Sequence, residues 1–413
     1  MGAKFVHCAG RKGAFMARIV MLTPWFPETP DAQQGKFILD SAQALAQRGH
    51  SVLAIVAEPY RLGGARRKPD WLPAGVCWRA LRYPSAPRYV ARGLTQWFCE
   101  RLLAPQVAHM AQTFGADLLH GHNERLAAVA IRAGRAAQAP VVATWHGVET
   151  HPRMQRSKAQ AFVGRVQHGV DRAVVVGDAL RRHYPALAQR PDGAHTVHNG
   201  FRPVDAAAVS RAPWSDPWRV VSVSNLQPGK GIDVTLRALA QLRNLPDWQG
   251  DWRYDVIGDG PQRRSLEALS HSLGLAQRVR FHGRLKHDQL AVWLGQAHLF
   301  CLPSQPEAFG IAYLEAMSAG CLALGVAGEG PSAFIVHGQS GVLAQEPSPD
   351  LVAAHLQELR AHPSTAQQIA LAGQERVLSE FTWARHAERL ESLYAQLLRA
   401  CDPQSASLAG KSL

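Results

Sequence analysis

Two carboxylates eight residues apart mark the run Pro303-Ser-Gln-Pro-Glu307-Ala-Phe309-Gly310-Ile311-Ala-Tyr-Leu-Glu315-Ala-Met-Ser-Ala-Gly320. Glu315 is expected to lie among Ile311, Leu314, Ala316 and Met317, where a carboxylate is costly unless hydrogen bonds or a ligand satisfy it. Gly310 opens this helix, and the free backbone N–H groups of a helix start, here around Phe309, Gly310 and Ile311, make a ready site for phosphate. At ~1.5 Å per residue, Gly310 and Glu315 lie about 7.5 Å apart, so one element presents both an anion site and an acceptor for a diol.

A nucleotide sugar carries both groups, and further motifs suit the same ligand. Val221-Ser-Val-Ser-Asn225-Leu-Gln-Pro-Gly-Lys230-Gly231-Ile-Asp233 joins a strand to a helix, the usual place of a phosphate-gripping turn, with Lys230 as a point charge. Thr144-Trp-His146-Gly147 closes another strand at its carboxyl end. His122 and Glu124 follow an earlier strand and are candidates on the acceptor side. No Asp-x-Asp triplet occurs in the chain, so the metal-bridged diphosphate site of many transferases is not expected and no metal ligand is assigned. Ile257-Gly-Asp-Gly-Pro261 lacks the third glycine of a dinucleotide fingerprint and reads equally as a tight strand-to-helix turn.

Apolar runs alternating with amphipathic stretches position these residues. Strands are expected at Ile19–Leu22, Val52–Val56, Leu118–His120, Val141–Thr144, Ala173–Val176 and His195–His198, with helices such as Gly35–Arg48 and Arg125–Ala137 between them. A second series covers Val220–Val223, Tyr254–Ile257, Val279–Phe281, Leu299–Leu302 and Leu322–Val326, after a Pro/Trp-rich stretch, Ala212–Trp218, that reads as a linker. The fold class is therefore α/β, with two doubly wound, Rossmann-like domains whose ligand sites lie at the strands' carboxyl ends and face a cleft. The expected boundaries are an N-terminal extension 1–15, domains 16–205 and 206–382, a crossover helix 383–400 and a disordered tail 401–413. Met16, just before the first strand, is an alternative start to Met1.

The Pro303–Gly320 signature closely resembles the donor site of the family 4 retaining glycosyltransferases, and the resemblance extends over residues 16–400. It implies the glycosyltransferase B architecture and transfer of a hexose-type sugar from a nucleoside diphosphate to a glycan or lipid-linked acceptor, as in envelope or exopolysaccharide synthesis. Carried onto this chain, it gives Glu307 to the donor sugar, Glu315 to the ribose and Lys230 to the diphosphate. It places His146 beside the sugar, Gly35 facing the diphosphate and Arg284, after Arg280-Phe-His-Gly283, near the base. Glu307, His146 and Lys230 are the catalytic candidates. Two departures stand out: the family commonly has arginine where Asn225 stands, and Ala333 replaces an acid in Gly328-Glu-Gly-Pro-Ser-Ala333, so that segment is left out of the site. No cofactor is expected.

Length and charge bound the rest. The 413 residues suit two domains. No run of about 18 apolar residues predicts a membrane span, and nothing at the N-terminus reads as a secretory signal. Six scattered cysteines, Cys8, Cys77, Cys99, Cys301, Cys321 and Cys401, fit a reduced cytoplasm without structural zinc. Residues 1–200 carry 26 Lys and Arg against 12 Asp and Glu, whereas residues 201–413 carry 19 against 20, so the net charge of +13 resides in the first half. Its densest stretch, Arg61–Arg101, interleaves Arg66, Arg67, Lys68, Arg79, Arg82, Arg88 and Arg92 with Trp71, Trp78, Tyr83, Tyr89, Trp97 and Phe98. That composition predicts docking on an anionic membrane's inner face, while no nucleic-acid module accompanies the charge. The alternatives are a nucleotide-sugar epimerase of the same fold and a non-catalytic, polyanion-binding relic of the scaffold.

Overall fold

The computed structural model describes residues 15–401 apart from 31, 33, 61–67, 86–91, 148–156, 204–213 and 215–217. Its internal contacts divide the chain into two compact units, one holding residues up to Val176, Leu180–His198 and those from Trp383 on, the other Gly177–Ala179 and Asn199–Thr382.

The first unit runs β1 (Arg18–Thr23), α1 (Lys36–Gln47), β2 (Ser51–Pro59), β3 (Val76–Tyr83), α2 (Arg92–Phe98), α3 (Ala104–Phe114), β4 (Leu118–His122), α4 (Glu124–Ala137), β5 (Val141–Trp145), α5 (Ser157–Gly169), β6 (Arg172–Val175), α6 (Pro185–Ala188) and β7 (His195–Thr196). Its sheet is parallel throughout, in the order β3-β2-β1-β4-β5-β6-β7. β4 and β5 are buried along their whole length, as strands covered on both faces must be.

The second unit runs β8 (Trp218–Val223), α7 (Ile232–Leu242), β9 (Trp252–Ile257), α8 (Arg263–Ser272), β10 (Val279–Gly283), α9 (His287–Gln296), β11 (Leu299–Cys301), α10 (Ile311–Ser318), β12 (Leu322–Val326), β13 (Val342–Ala344), α11 (Pro349–Ala361) and α12 (Pro363–Glu380). Its strand order, β10-β9-β8-β11-β12-β13, is again parallel. In each sheet the order of the strands reverses once, between β1 and β4 and between β8 and β11. Parallel α/β sheets bind ligands outside the strand ends at that reversal.

The last helix, α13 (Trp383–Cys401), packs in the first unit. Ala387, Leu390, Leu393, Tyr394 and Leu397, at helical spacing, join a core with Ile19, Met21, Leu45, Val142 and Val174. Two buried polar contacts fix its register: Ser41 with His386 at 2.8 Å and Tyr394 with His120 at 2.7 Å.

The structure corrects several expectations. β3 and β13 were not foreseen, and β7 spans only His195–Thr196. The expected linker overruns into structure, because Trp218 is the first residue of β8, buried against Trp248 and His298. Of the aromatic residues expected at a lipid surface, Trp78 and Tyr83 are buried on the edge strand β3, and Trp71 stacks on Phe26. Arg66, Arg67, Arg88, Tyr89 and the tail after Cys401 lie outside the described residues.

Candidate active site

In the second unit the reversal between β8 and β11 brings two loops together. The turn after β8 carries Asn225 to Gly231, and the loop after β11 carries Pro303 to Gly310. Gln305 N–H donates to the Gly229 carbonyl at 2.7 Å. Gly231, with φ +70°, caps α7, and a Cβ there would run into the Pro303 carbonyl, so only glycine fits. This close approach lets Lys230 Nζ donate to Glu307 Oε2 at 2.7 Å, with Ser304 Oγ donating to the same oxygen at 3.1 Å. The Lys230 and Glu307 side chains are 24% and 11% exposed. An ammonium and a carboxylate therefore share a largely desolvated spot just before the start of α10.

Gly310, with φ +94°, caps α10, whose first N–H groups have no intrahelical acceptor. Phe309 turns its ring into the core against Phe334 and Phe381, leaving only its backbone for a ligand. Ile311 is half-buried at the first helical position. Glu315 departs from the expectation of full burial. Leu314, Ala316 and Met317 take the core-facing positions of α10, so Glu315 falls on another face, 16% exposed, with Oε1 3.8 Å from His287 Nδ1. Asn225 and Arg284 are exposed. Ile257–Pro261 proves to be a tight turn closed on the Asn225 loop, with Ser224 N–H donating to the Ile257 carbonyl and Gln262 N–H to that of Leu226.

One residue escaped the sequence reading. Glu329, buried in the segment set aside because of Ala333, accepts the Glu307 backbone N–H at 2.8 Å through Oε2 and Gln305 Nε2 at 3.3 Å through Oε1. It ties down the loop that aims Glu307. The small residues around it, Gly328-Glu-Gly-Pro, were a signal of close packing that the missing acid at 333 obscured.

In the first unit, Gly35 caps α1 with φ +80°, and Phe37, two residues on, sits 4.8 Å, ring centre to ring centre, from His146. Trp25 meets the same imidazole edge-on at 5.9 Å. His146 thus stands beside the α1 start at the β1/β4 reversal. His122 Nδ1 and His146 Nε2 are hydrogen-bonded at 2.8 Å. Burial, reinforced by the surrounding histidines, pushes His146 and His120 well below the usual imidazole range and His122 down to about 3, so all three are neutral near pH 7. Glu124, at the first turn of α4, lies 3.1 Å from the Tyr184 hydroxyl, which also reaches the Gly147 carbonyl at 2.7 Å. Asn199 is buried at the edge of the second unit.

Comparison with known proteins gives the family and the fold. Residues 34–204 match the model of Glycosyltransferase Family 4, and residues 208–376 that of Glycosyl transferases group 1. The GDP-mannose-dependent alpha-(1-6)-phosphatidylinositol monomannoside mannosyltransferase of Mycobacterium tuberculosis is 30% identical over 407 residues, 94% of this chain and 99% of its own. Sucrose-phosphate synthase from Thermosynechococcus elongatus has the same fold, with a TM-score of 0.71 at 21% identity over 93% of this chain and 100% of its own. An alpha,alpha-trehalose-phosphate synthase (UDP-forming) from Burkholderia vietnamiensis gives 0.75 at 15% identity over 95% and 100%. The chain belongs to glycosyltransferase family 4 and is a glycosyltransferase of the two-unit, parallel-sheet glycosyltransferase B fold.

Proposed function

We propose that the chain is a metal-independent retaining hexosyltransferase that moves a sugar from a nucleoside diphosphate to a hydroxyl of a lipid-linked or glycan acceptor. The observation that carries this reading is the Lys230–Glu307 pair at 2.7 Å beside the free start of α10. Lys230 and the α10 N–H groups neutralise the diphosphate as it leaves, and Glu307 hydrogen-bonds the sugar. Glu315 accepts from the ribose diol, Gly35 and Asn225 approach the phosphates through backbone and amide groups, and Arg284 lies toward the base. His146, held neutral, hydrogen-bonds a sugar hydroxyl without acting as a base. Leaving-group charge is then stabilised by preorganised donors, with no metal ligand pair required. Retention follows from front-face attack, the departing phosphate taking the acceptor's proton.

GDP-mannose is the first donor to test, because the mycobacterial relative over nearly the whole chain carries that name. Thermal melting with a panel of UDP-, GDP- and ADP-sugars tests the reading. Ligand at about 100 times Kd stabilises by ~2.7 kcal/mol, a shift of several degrees. A matching donor is consumed only when acceptor is present and gives no isomer by itself; isomer formation without acceptor would identify an epimerase. Loss of activity in EDTA would refute metal independence.

The acceptor side is proposed to rest on an anionic membrane. No helix of the described residues is long and apolar enough to cross one. With Trp78 and Tyr83 buried, the exposed apolar side chains near the basic stretch include, among the described residues, Tyr60 at 58%, Leu94 and Trp97 on α2, each 53% exposed, and Leu102 at 41%, with Arg101 over the Trp97 ring at 5.9 Å. An exposed aromatic paired with arginine is suited to the headgroup boundary. W97S with L94S should lower sedimentation with phosphatidylglycerol vesicles, and unchanged sedimentation would remove the lipid surface from the proposal.

A further inference from the structure

The β4–β5 register places a chain of histidines on one face of the first sheet. His120 lies opposite Val142 and His122 opposite Thr144, with His146 two residues further on, so all project to the same side. The rings stack successively, His120 on His122 at 4.4 Å and His122 on His146 at 5.1 Å. His120 is fully engaged, with Nδ1 at 2.7 Å from the Tyr394 hydroxyl and Nε2 at 2.7 Å from Thr144 Oγ1. It anchors the stack.

The outer pair differs. His122 Nδ1 meets His146 Nε2 at 2.8 Å, and the other two nitrogens, His122 Nε2 and His146 Nδ1, are buried and have no partner among the described residues. A neutral imidazole has one N–H and one lone pair. Of the two nitrogens that face each other, one must donate and the other accept. His122 and His146 therefore hold complementary states: when His146 Nε2 donates, its Nδ1 is an acceptor, and when His122 Nδ1 donates, His146 Nδ1 is a donor. Converting one state to the other moves the shared proton across the bond and also requires a proton to leave His122 Nε2 and one to reach His146 Nδ1, so that both rings end neutral. Phe37 and Trp25 confine the imidazole plane from the other sides. The freedom left to His146 is a ring flip, which the bond at Nε2 prevents.

We propose that His122 is a positioning residue for sugar recognition, holding the His146 ring so that Nδ1 is the one nitrogen offered to a sugar hydroxyl, as donor or acceptor according to the hydrogen-bond direction within the pair. The inference rests on the reading of His146 as a partner of the donor sugar. His122 need not touch the sugar; it acts through His146.

The test compares H122L, H122N and H122Q with H146A, using GDP-mannose, or whichever member of the donor panel is consumed fastest, and measuring turnover, KM and nucleoside-diphosphate affinity. Asparagine places its amide where Nδ1 stands, whereas glutamine places it where Nε2 stands. H122L should lose turnover about 10–100-fold, the scale of a misplaced reacting partner, with nucleoside-diphosphate affinity unchanged because Lys230 and Glu315 are intact. H122N should recover most of the loss and H122Q little, and H122L should cost nothing further in the H146A background. An unchanged melting temperature certifies folding in each variant, and H122N keeps the question open to refutation if H122L fails to fold. Equal rescue by H122Q, or a full H122L loss in the H146A background, would overturn the proposal. H146A with wild-type turnover would remove the reading of His146 and this inference with it, whereas an impaired H146A beside an unimpaired H122L would remove this inference alone.

Discussion

Lys230→Ala tests the donor site most directly, because its effect can be built from the geometry. Lys230 Nζ lies 2.7 Å from Glu307 Oε2, with the two side chains 24% and 11% exposed. At an effective dielectric of ~20, opposite unit charges at this distance attract by about 6 kcal/mol before desolvation, and the exposure of Lys230 screens part of that. Alanine has two consequences. The diphosphate loses its cation, and Glu307, left with Ser304 alone, turns an uncompensated negative charge toward the incoming phosphates. Removal of one preorganised charge-stabilising donor costs ~2.7–4 kcal/mol, so turnover should fall about 10²–10³-fold. The second consequence is separable. In K230A/E307Q the repulsion is gone, and nucleoside-diphosphate affinity should exceed that of K230A about tenfold, a coupling of ~1.4 kcal/mol that is ordinary for a contacting pair. Turnover should remain low, since the sugar contact of Glu307 is also lost. Steady-state transfer with GDP-mannose gives the first quantity, and calorimetric titration with GDP the second. If K230A turns over near the wild-type rate, the lysine does not serve the leaving phosphate. If the double variant binds no better than K230A, the pair is a structural tie and not a shared phosphate site.

Three further outcomes are expected. Glu315→Gln should weaken nucleoside-diphosphate binding about tenfold with little change in Tm, the loss of one charge-assisted hydrogen bond of ~1.5–3 kcal/mol, and unchanged affinity by calorimetry would reject the ribose assignment. Glu329→Gln turns an amide N–H toward one of the two donors that the carboxylate now accepts, so both Tm and turnover should drop while E329D recovers neither fully; wild-type turnover would show that the Glu307 loop needs no such tie. His122 and His386 are pushed by burial down to about 3 and about 4. Unfolded imidazole titrates near 6.5, so below that pH the unfolded chain binds more protons than the folded one. Stability is fully present above about 6.5 and is lost progressively as pH falls below it, the loss ending near 4 for His386 and near 3 for His122, at ~1.4 kcal/mol per pH unit per histidine. Melting curves that are flat between pH 7 and pH 4.5 would contradict the burial of these rings.

Much of this was legible because buried parallel strands are continuous apolar runs: β1, β2, β8 and β12 stand out from their flanking helices on composition alone. β3 did not. Its sequence, Val-Cys-Trp-Arg-Ala-Leu-Arg-Tyr, mixes buried residues (Val76, Trp78, Leu81 and Tyr83) with partly exposed ones at the sheet edge, and its arginines and aromatics suggested a surface instead. Three residues of β13 carry too little pattern to announce a strand. The chemistry was legible where a motif carries its own geometry. Gly310 before an apolar helix, and Lys230 between two glycines after a strand, declare a helix start and a tight turn. Glu315 was misjudged because composition around a helix residue does not say which face it takes. Glu329 and the His122–His146 bond depend on contacts across 22 and 24 residues of sequence, and no local spacing encodes them.

The charge distribution and the site geometry assign different physics to the two ligands. Residues 201–413 are nearly neutral overall, with 19 basic against 20 acidic side chains, yet they hold the proposed anion site. Capture of the diphosphate there cannot depend on a long-range field. On the proposed reading it rests on Lys230, on the α10 N–H groups and on the loops that set them in place, contacts of a few ångströms that salt screens little. Residues 1–200 carry the whole basic excess, a field that acts at the Debye length and suits an extended anionic surface better than one phosphate pair. On the proposed reading, the hydrogen-bonded carboxylates of the second unit would give selectivity for the donor, and the first unit's charge, with Leu94 and Trp97, would bring the enzyme to an anionic surface that holds a lipid-linked acceptor. The neutral histidine stack in that basic unit follows the same logic: amid excess positive charge, a sugar hydroxyl is best met by imidazoles that burial keeps uncharged.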